Sequence, residues 1–327
     1  MDTSTIRDYQ YHNYLIPENL GGQGHGLFDA MREAKKLSYK NPSNAWLLMV
    51  LSNTSYWAYK ALGEELFREL SDGGKNILSS VTRPSGTCKA IDKDSYLAYG
   101  TWDYGSGIEH CDYVICGFKE AQTGEVFHLP ISINDLIVRD NWRSVGLQGT
   151  SSHSFELSKQ EIKSKFKFSL NRYIGDDNFY TPSLSPIMAI ISIGVTYRLL
   201  EECRKELKNT NTSSQLYSLY SINHAKLCAA EALLNSVAED IWKNRNGILN
   251  SDRGSLRSAI CYSVSSAYDV GCNLASMFPH ISTDPCSDFH HFFNELQSTR
   301  AHGQLSPALH QEAGLLLCDN DSDAFVF

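Results

Sequence analysis

Lysine and arginine nowhere cluster in this chain of 327 residues, which carries 29 of them against 37 acidic side chains. A formal net charge of -8 without a basic patch argues against a nucleic-acid or anionic-membrane partner, because both need concentrated positive charge. No CxxC pair occurs among the nine cysteines, and the closest two, Cys111 and Cys116, fall in one strand-like run. The usual zinc and disulfide frameworks are therefore not expected, and the thiols read as reduced, in a cytoplasmic protein. The opening MDTSTIRDYQYHNYL lacks a basic stretch followed by an apolar one, so no secretory signal is expected. The longest apolar-rich window, 187–200, is interrupted by Ser192, Gly194, Thr196 and Arg198 and is too short to span a bilayer. Gly21, Gly22, Gly24 and Gly26 lack the GxGxxG spacing and follow no strand, which leaves a turn feeding a helix rather than a dinucleotide loop.

What is present divides the chain in three, and the fold class expected is α+β. Residues 1–76 read as a shortened helical domain, with helices at 27–38, 42–62 and 64–71. Asn41-Pro42 supplies a cap and a first-turn proline, and Asp72-Gly73-Gly74 a stop. Over 77–158 the apolar period shifts towards two, giving strands at 77–82, 96–104, 113–119, 126–133 and 136–145 in a compact antiparallel lobe. Over 159–327 helices return, at 187–207, 216–241, 255–278, 287–302 and 307–317. The first of these is apolar nearly all round and should be buried centrally.

The stretch most loaded with chemistry is GTWDYGSGIEHCDYVICG, 100–117, which joins two strand-like runs through Gly105-Ser106-Gly107. Bare glycine backbone on both sides of a hydroxyl lets a flat ligand approach main-chain donors closely. An ordinary strand-turn-strand explains the same residues, and the stretch alone does not separate the two readings.

In its motifs the chain resembles the acyl-CoA dehydrogenase superfamily, most of all its flavin-dependent two-component monooxygenase and N-oxygenase branch. IPENLGG is similar to the family's entry to its second helix. GTWDYGSGIEHCDYVICG is similar to the branch's G-x-W-x-x-x-SG-x-x-H motif, and NWRSVGLQGTSSHSFEL, 141–157, to its W-x-x-x-G-x-x-GTGSH segment. The resemblance implies an N-terminal helical domain, a central antiparallel β-barrel or sandwich and a C-terminal four-helix bundle, with a flavin ring lying against the β lobe. It also implies FAD or FMN, delivered reduced by a separate flavin reductase and reacting with O2 through a C4a-hydroperoxide to oxygenate a small molecule. A homodimer or homotetramer is implied too.

By the same resemblance Thr82, Trp102, Ser106, Gly107 and Thr150 fall in flavin-facing segments, and Ser106 and His302 are the catalytic candidates. Ser106 reads equally as a turn residue, Trp102 as core packing and His302 as a solvent-facing loop histidine. His110 and His153 read as capping or turn residues. His290-His291 has no carboxylate or cysteine at ligand spacing, so no metal site is expected.

The chain also departs from the pattern. Ser151 stands in GTSSH where the branch usually has Gly, and FHHFFNELQSTRAH lacks the usual arginine pattern before the histidine loop. Two other functions stay open. An acyl-thioester dehydrogenase or oxidase would need a carboxylate, with Glu295 and Glu312 the nearest in sequence, and a catalytically degenerate scaffold would need none.

Overall fold

Local signals place the N-terminal helices. In the computed structural model, which describes residues 3–209 and 214–318, the Asn41 side chain accepts the Asn44 N–H at 3.1 Å and Pro42 opens the helix that follows. The helices are α1 (Thr3–Asp8), α2 (Leu27–Lys40) and α3 (Pro42–Leu70). Gly63, at φ 77°, breaks α3 where the sequence places the gap between its second and third helices.

Six strands follow: β1 (Leu78–Ala90), β2 (Ser95–Gly105), β3 (Tyr113–Glu120), β4 (Val126–Ser132), β5 (Leu136–Arg139) and β6 (His153–Lys163). They form one sheet in the order β4-β3-β1-β2-β6-β5. Two expectations are corrected here. The lobe is not wholly antiparallel, because β1 and β3 run parallel, from Leu78 opposite Tyr113 to Cys88 opposite Glu120. Strand β6 was not foreseen, and the expected boundary at 158 falls inside it. Its apolar alternation ends at Leu157, and pairing with β2 rather than side-chain pattern carries it on to Lys163. The run expected at 136–145 stops at Arg139, leaving a long loop to β6.

A short hairpin, β7 (Tyr173–Ile174) with β8 (Phe179–Tyr180), leads to the C-terminal helices. These are α4 (Ser185–Asn209), α5 (Ser214–Asn244), α6 (Asn250–Met277), α7 (Pro279–Thr283), α8 (Asp288–Arg300) and α9 (Leu309–Leu317). Helix α4 packs against α2, α5, α6 and α8. The helical stretch through it is longer than its sequence pattern suggests and apolar enough to cross a membrane, and 89% of its apolar window is buried in the protein, as in a core helix.

Helix α3 joins the lobes. Leu47 and Leu51 enter the β core with Trp102, Phe118 and Phe155, while the adjoining Trp46 and Leu48 enter the helical core. Successive helical residues point about 100° apart, so one helix feeds both cores and its Trp46 side lies at their junction.

Candidate active site

Two turns of the β lobe meet α3 at this junction. The first, 105–107, places Gly107 at φ 76°, and its N–H donates to the Thr150 carbonyl at 2.8 Å in the second turn. A side chain at Gly107 would be strained there and would press on Leu47 and Leu51 of α3. Ser79 Oγ donates to the Ser106 carbonyl at 2.6 Å, tying the first turn to β1.

The hydroxyls of the two turns are wired together. Trp46 Nε1 donates to Ser106 Oγ at 3.3 Å, Ser106 Oγ lies 2.8 Å from Ser152 Oγ, and Ser152 Oγ lies 2.7 Å from Thr150 Oγ1. Thr150 Oγ1 then donates to the Leu147 carbonyl at 2.7 Å. Every side chain in this chain is buried. Within the wired segment 147–152, Leu147 and Ser151 hold left-handed backbone, φ 55° and 46°. The position at which the resemblance expects Gly is thus one where Gly would be unstrained.

Helix α8 clamps the second turn. Glu295, itself buried, accepts the Leu147 N–H at 2.8 Å, and Ser298 Oγ accepts the Gly146 N–H at 3.0 Å. Gly146 passes so close that a Cβ there would lie 2.5 Å from the Asn294 carbonyl oxygen. Burial pushes the Glu295 carboxyl above its usual range, against the lowering effect of the Leu147 N–H. His153 holds the other end. Its Nδ1 accepts the N–H groups of Asn141 and Trp142, both at 3.1 Å, and Trp142 Nε1 reaches the Leu147 carbonyl at 3.0 Å.

The same α8 ends in His302. The imidazole meets Trp46 edge to face, ring centroids 5.4 Å apart, and the residue is half-buried. Its Nδ1 accepts the Gln304 N–H at 3.3 Å, which puts the ring proton on Nε2. Burial lowers its pKa to about 4, so at neutral pH His302 is an uncharged N–H donor rather than a cation.

The structure therefore brings together Ser106, Gly107, Thr150 and His302 of the expected set and separates the other two. Trp102 is 1% exposed, stacked on Phe155, edge-on to Phe118, and its Nε1 donates to the Gly117 carbonyl. Both faces are covered by protein, which corrects the expectation of a flavin-facing indole and bears on its role as support beneath the turn. Thr82 lies in the β1 irregularity, where its carbonyl accepts His128 Nε2 at 3.0 Å, and its hydroxyl is no part of the wired chain.

Trp46, Ser152 and Glu295 were not foreseen in these roles. Trp46 had one available signal, its place one turn after the Asn41-Pro42 start. The expectation that His291 has no carboxylate at ligand spacing is also corrected, since Glu295 is four residues on and 3.8 Å away. Among the described residues no three metal-ligating side chains gather. Beside the clamp a cavity of about 260 Å3 is lined by Ser43, Gly149, His291 and Glu295 among others.

No family profile matches the chain. Over 200 residues, 58% of this chain and 51% of the relative, it is 24% identical to indole-3-acetate monooxygenase of Acinetobacter baumannii. Over 160 residues, 47% of this chain and 38% of the relative, it is 26% identical to the oxygenase component of an FADH2-dependent resorcinol hydroxylase of a Rhizobium species. The chain thus spans about half the length, or less, of the curated relatives it matches. The solved structure of XiaF from a Streptomyces species, in complex with FADH2 and glycerol, superimposes with a TM-score of 0.90 at 19% identity, covering 99% of this chain and 90% of that one. This chain and XiaF therefore share one fold.

Proposed function

We propose that the chain is the oxygenase component of a two-component flavin monooxygenase, taking reduced FAD or FMN from a separate reductase and using O2 to oxygenate a small organic molecule. The observation that carries this reading is the convergence of Ser106, Trp46 and His302, from three parts of the chain, at one buried junction. The names of the relatives, a monooxygenase and an FADH2-dependent oxygenase component, support it. So does the FADH2 in the XiaF complex.

The residues present suit a flavin edge. Ser106 Oγ keeps one acceptor position beyond its bonds to Trp46 and Ser152, on a turn narrow enough for a flat ring to approach. The flavin, when bound, supplies the oxygen chemistry; the protein supplies position, dryness and proton control. Ser106 fixes the ring edge, the Trp46 indole excludes water, and His302 Nε2–H donates a hydrogen bond to oxygen arriving beside it. Arg300, at the end of α8, stacks on Tyr268 at 4.2 Å, and among the described residues no carboxylate pairs with it, so its charge is available to an anionic group of the cofactor.

Both carboxylates nearest the histidine loop in sequence are engaged, which weighs against the thioester dehydrogenase reading: Glu295 accepts the Leu147 N–H and Glu312 lies 3.4 Å from Arg257. Homo-oligomer formation belongs to the proposal as well. Leu219, Ile222 and Leu233 are exposed on one side of α5 at helical spacing, an apolar face suited to a second copy. The decisive experiment is anaerobic titration with reduced FAD and FMN, followed by rapid mixing with O2 and absorbance recording. Tight reduced-flavin binding and an oxygenated flavin spectrum are expected. No binding of either flavin in either oxidation state overturns the reading.

A further inference from the structure

The wired hydroxyls have a single possible direction. A carbonyl oxygen only accepts, so the 2.7 Å contact from Thr150 Oγ1 to the Leu147 carbonyl uses the only hydroxyl proton that Thr150 has. Thr150 must then accept from Ser152, which uses the Ser152 proton. Ser152 must in turn accept from Ser106, which uses the Ser106 proton. At the far end the indole N–H of Trp46 only donates, so Ser106 Oγ accepts it. The order of donation runs Trp46, Ser106, Ser152, Thr150, Leu147. Ser106 is left with one lone pair and no proton for a ligand.

We infer that Thr150 and Ser152 are positioning residues that hold Ser106 as a hydrogen-bond acceptor towards its ligand, and so let the site discriminate between the oxidation states of a flavin. This rests on the proposed flavin reading. Reduced flavin carries a proton on N5 and donates there, whereas oxidised N5 has a lone pair and only accepts. An acceptor at Ser106 bonds the reduced edge and sets two lone pairs against each other at the oxidised one. A serine free to rotate its hydroxyl would serve both states, so the selectivity lies in the wiring behind Ser106 rather than in Ser106 itself. Carbonyl, threonine and second serine sit on the turn clamped by α8 through Glu295, which keeps the carbonyl end fixed.

The test measures dissociation constants for oxidised FAD and FMN in air and for the same flavins reduced with dithionite under nitrogen, with the midpoint potential of the bound flavin as an independent readout. In the wild type the reduced form should bind at least about tenfold tighter, the scale set by one hydrogen bond gained against one buried acceptor left unpaired. Each tenfold raises the midpoint potential by about 30 mV relative to free flavin. Thr150→Val keeps the shape and removes the hydroxyl. Ser152 then turns to donate to Ser106, the Ser106 proton is released to the ligand, and the preference should shrink by about tenfold. Ser152→Ala releases the same proton by another route and should act alike, which guards against one variant failing to fold. Thr150→Ser restores the donor and should restore the preference. Flavin bound with an oxidation-state ratio unchanged in both Thr150→Val and Ser152→Ala overturns the inference and leaves the flavin reading standing. Failure of the wild type to bind either state overturns both.

Discussion

Trp46 and His302 meet edge to face, 5.4 Å between ring centroids and 64° between planes, although one lies in the first turns of α3 and the other follows the C-terminus of α8. Trp46 Nε1 at the same time reaches Ser106 in the β lobe. One indole therefore touches groups from all three parts of the chain, and its substitution is the most informative single change at the junction.

Trp46→Ala should destabilise the protein by about 3–5 kcal/mol, the usual cost of a large aromatic removed from a packed site. Trp46→Phe keeps most of the packing and removes the N–H, and should cost about 1 kcal/mol. Urea unfolding midpoints read both. Equal losses for the two variants would show that the bond to Ser106, rather than packing, dominates.

The pH dependence of stability follows from His302. Its folded pKa, about 4, lies below the ordinary 6.5, so between those values the unfolded state binds more protons than the folded one. Stability then rises with pH through that window and is lost as the pH falls from about 6.5 towards 4, by at most about 3 kcal/mol, since the solvent-reaching edge of the ring keeps some hydration. His12 and His128, also lowered by burial, add to the same slope. His302→Asn should flatten the fall in melting temperature between pH 6.5 and 4.5, and an unchanged slope would remove His302 from this account.

Glu295 gives the opposite sign. Its folded pKa is raised, so the folded state holds its proton longer and the burial of its charge weighs against the fold as the pH rises above the ordinary 4.5. Glu295→Gln keeps an acceptor for the Leu147 N–H without the charge, and its stability relative to wild type should improve from pH 5 to pH 8. Glu295→Ala leaves that buried N–H unpaired and should cost about 1–3 kcal/mol at either pH. Calorimetric melts at the two pH values separate these outcomes.

Ser151 holds φ 46°, where an L residue is strained by about 1–2 kcal/mol and glycine is not. Ser151→Gly gives back part of that through the greater entropy of the unfolded chain, so a net gain of about 0.5–1 kcal/mol is expected. A fall in melting temperature would show that the Ser151 side chain makes a stabilising contact of its own.

Much of this was legible in the chain. Caps and stops placed α2, α3 and their break at Gly63, because those signals are local: a side chain bonding a backbone group three residues away, a proline with no N–H, a glycine free to turn. Motif order placed Ser106, Gly107, Thr150 and His302 as candidates. The chain did not reveal β6, whose outer half has no apolar alternation and is held by its neighbour strand, or the parallel pairing of β1 with β3, which depends on a partner distant in sequence.

The amino-acid sequence by itself determined the order of helices, then strands, then helices, and the identity of the groups in the two turns, since period, capping and glycine placement act over a few residues. Only the tertiary structure decided that Trp102 turns into the β core, that Trp46 reaches Ser106 from another lobe, and that Glu295 accepts the Leu147 N–H of a distant loop. The physical reason is that a hydrogen bond has a direction and a length. Which hydroxyl donates and which accepts is fixed by the neighbours that folding supplies, and no residue carries that information alone.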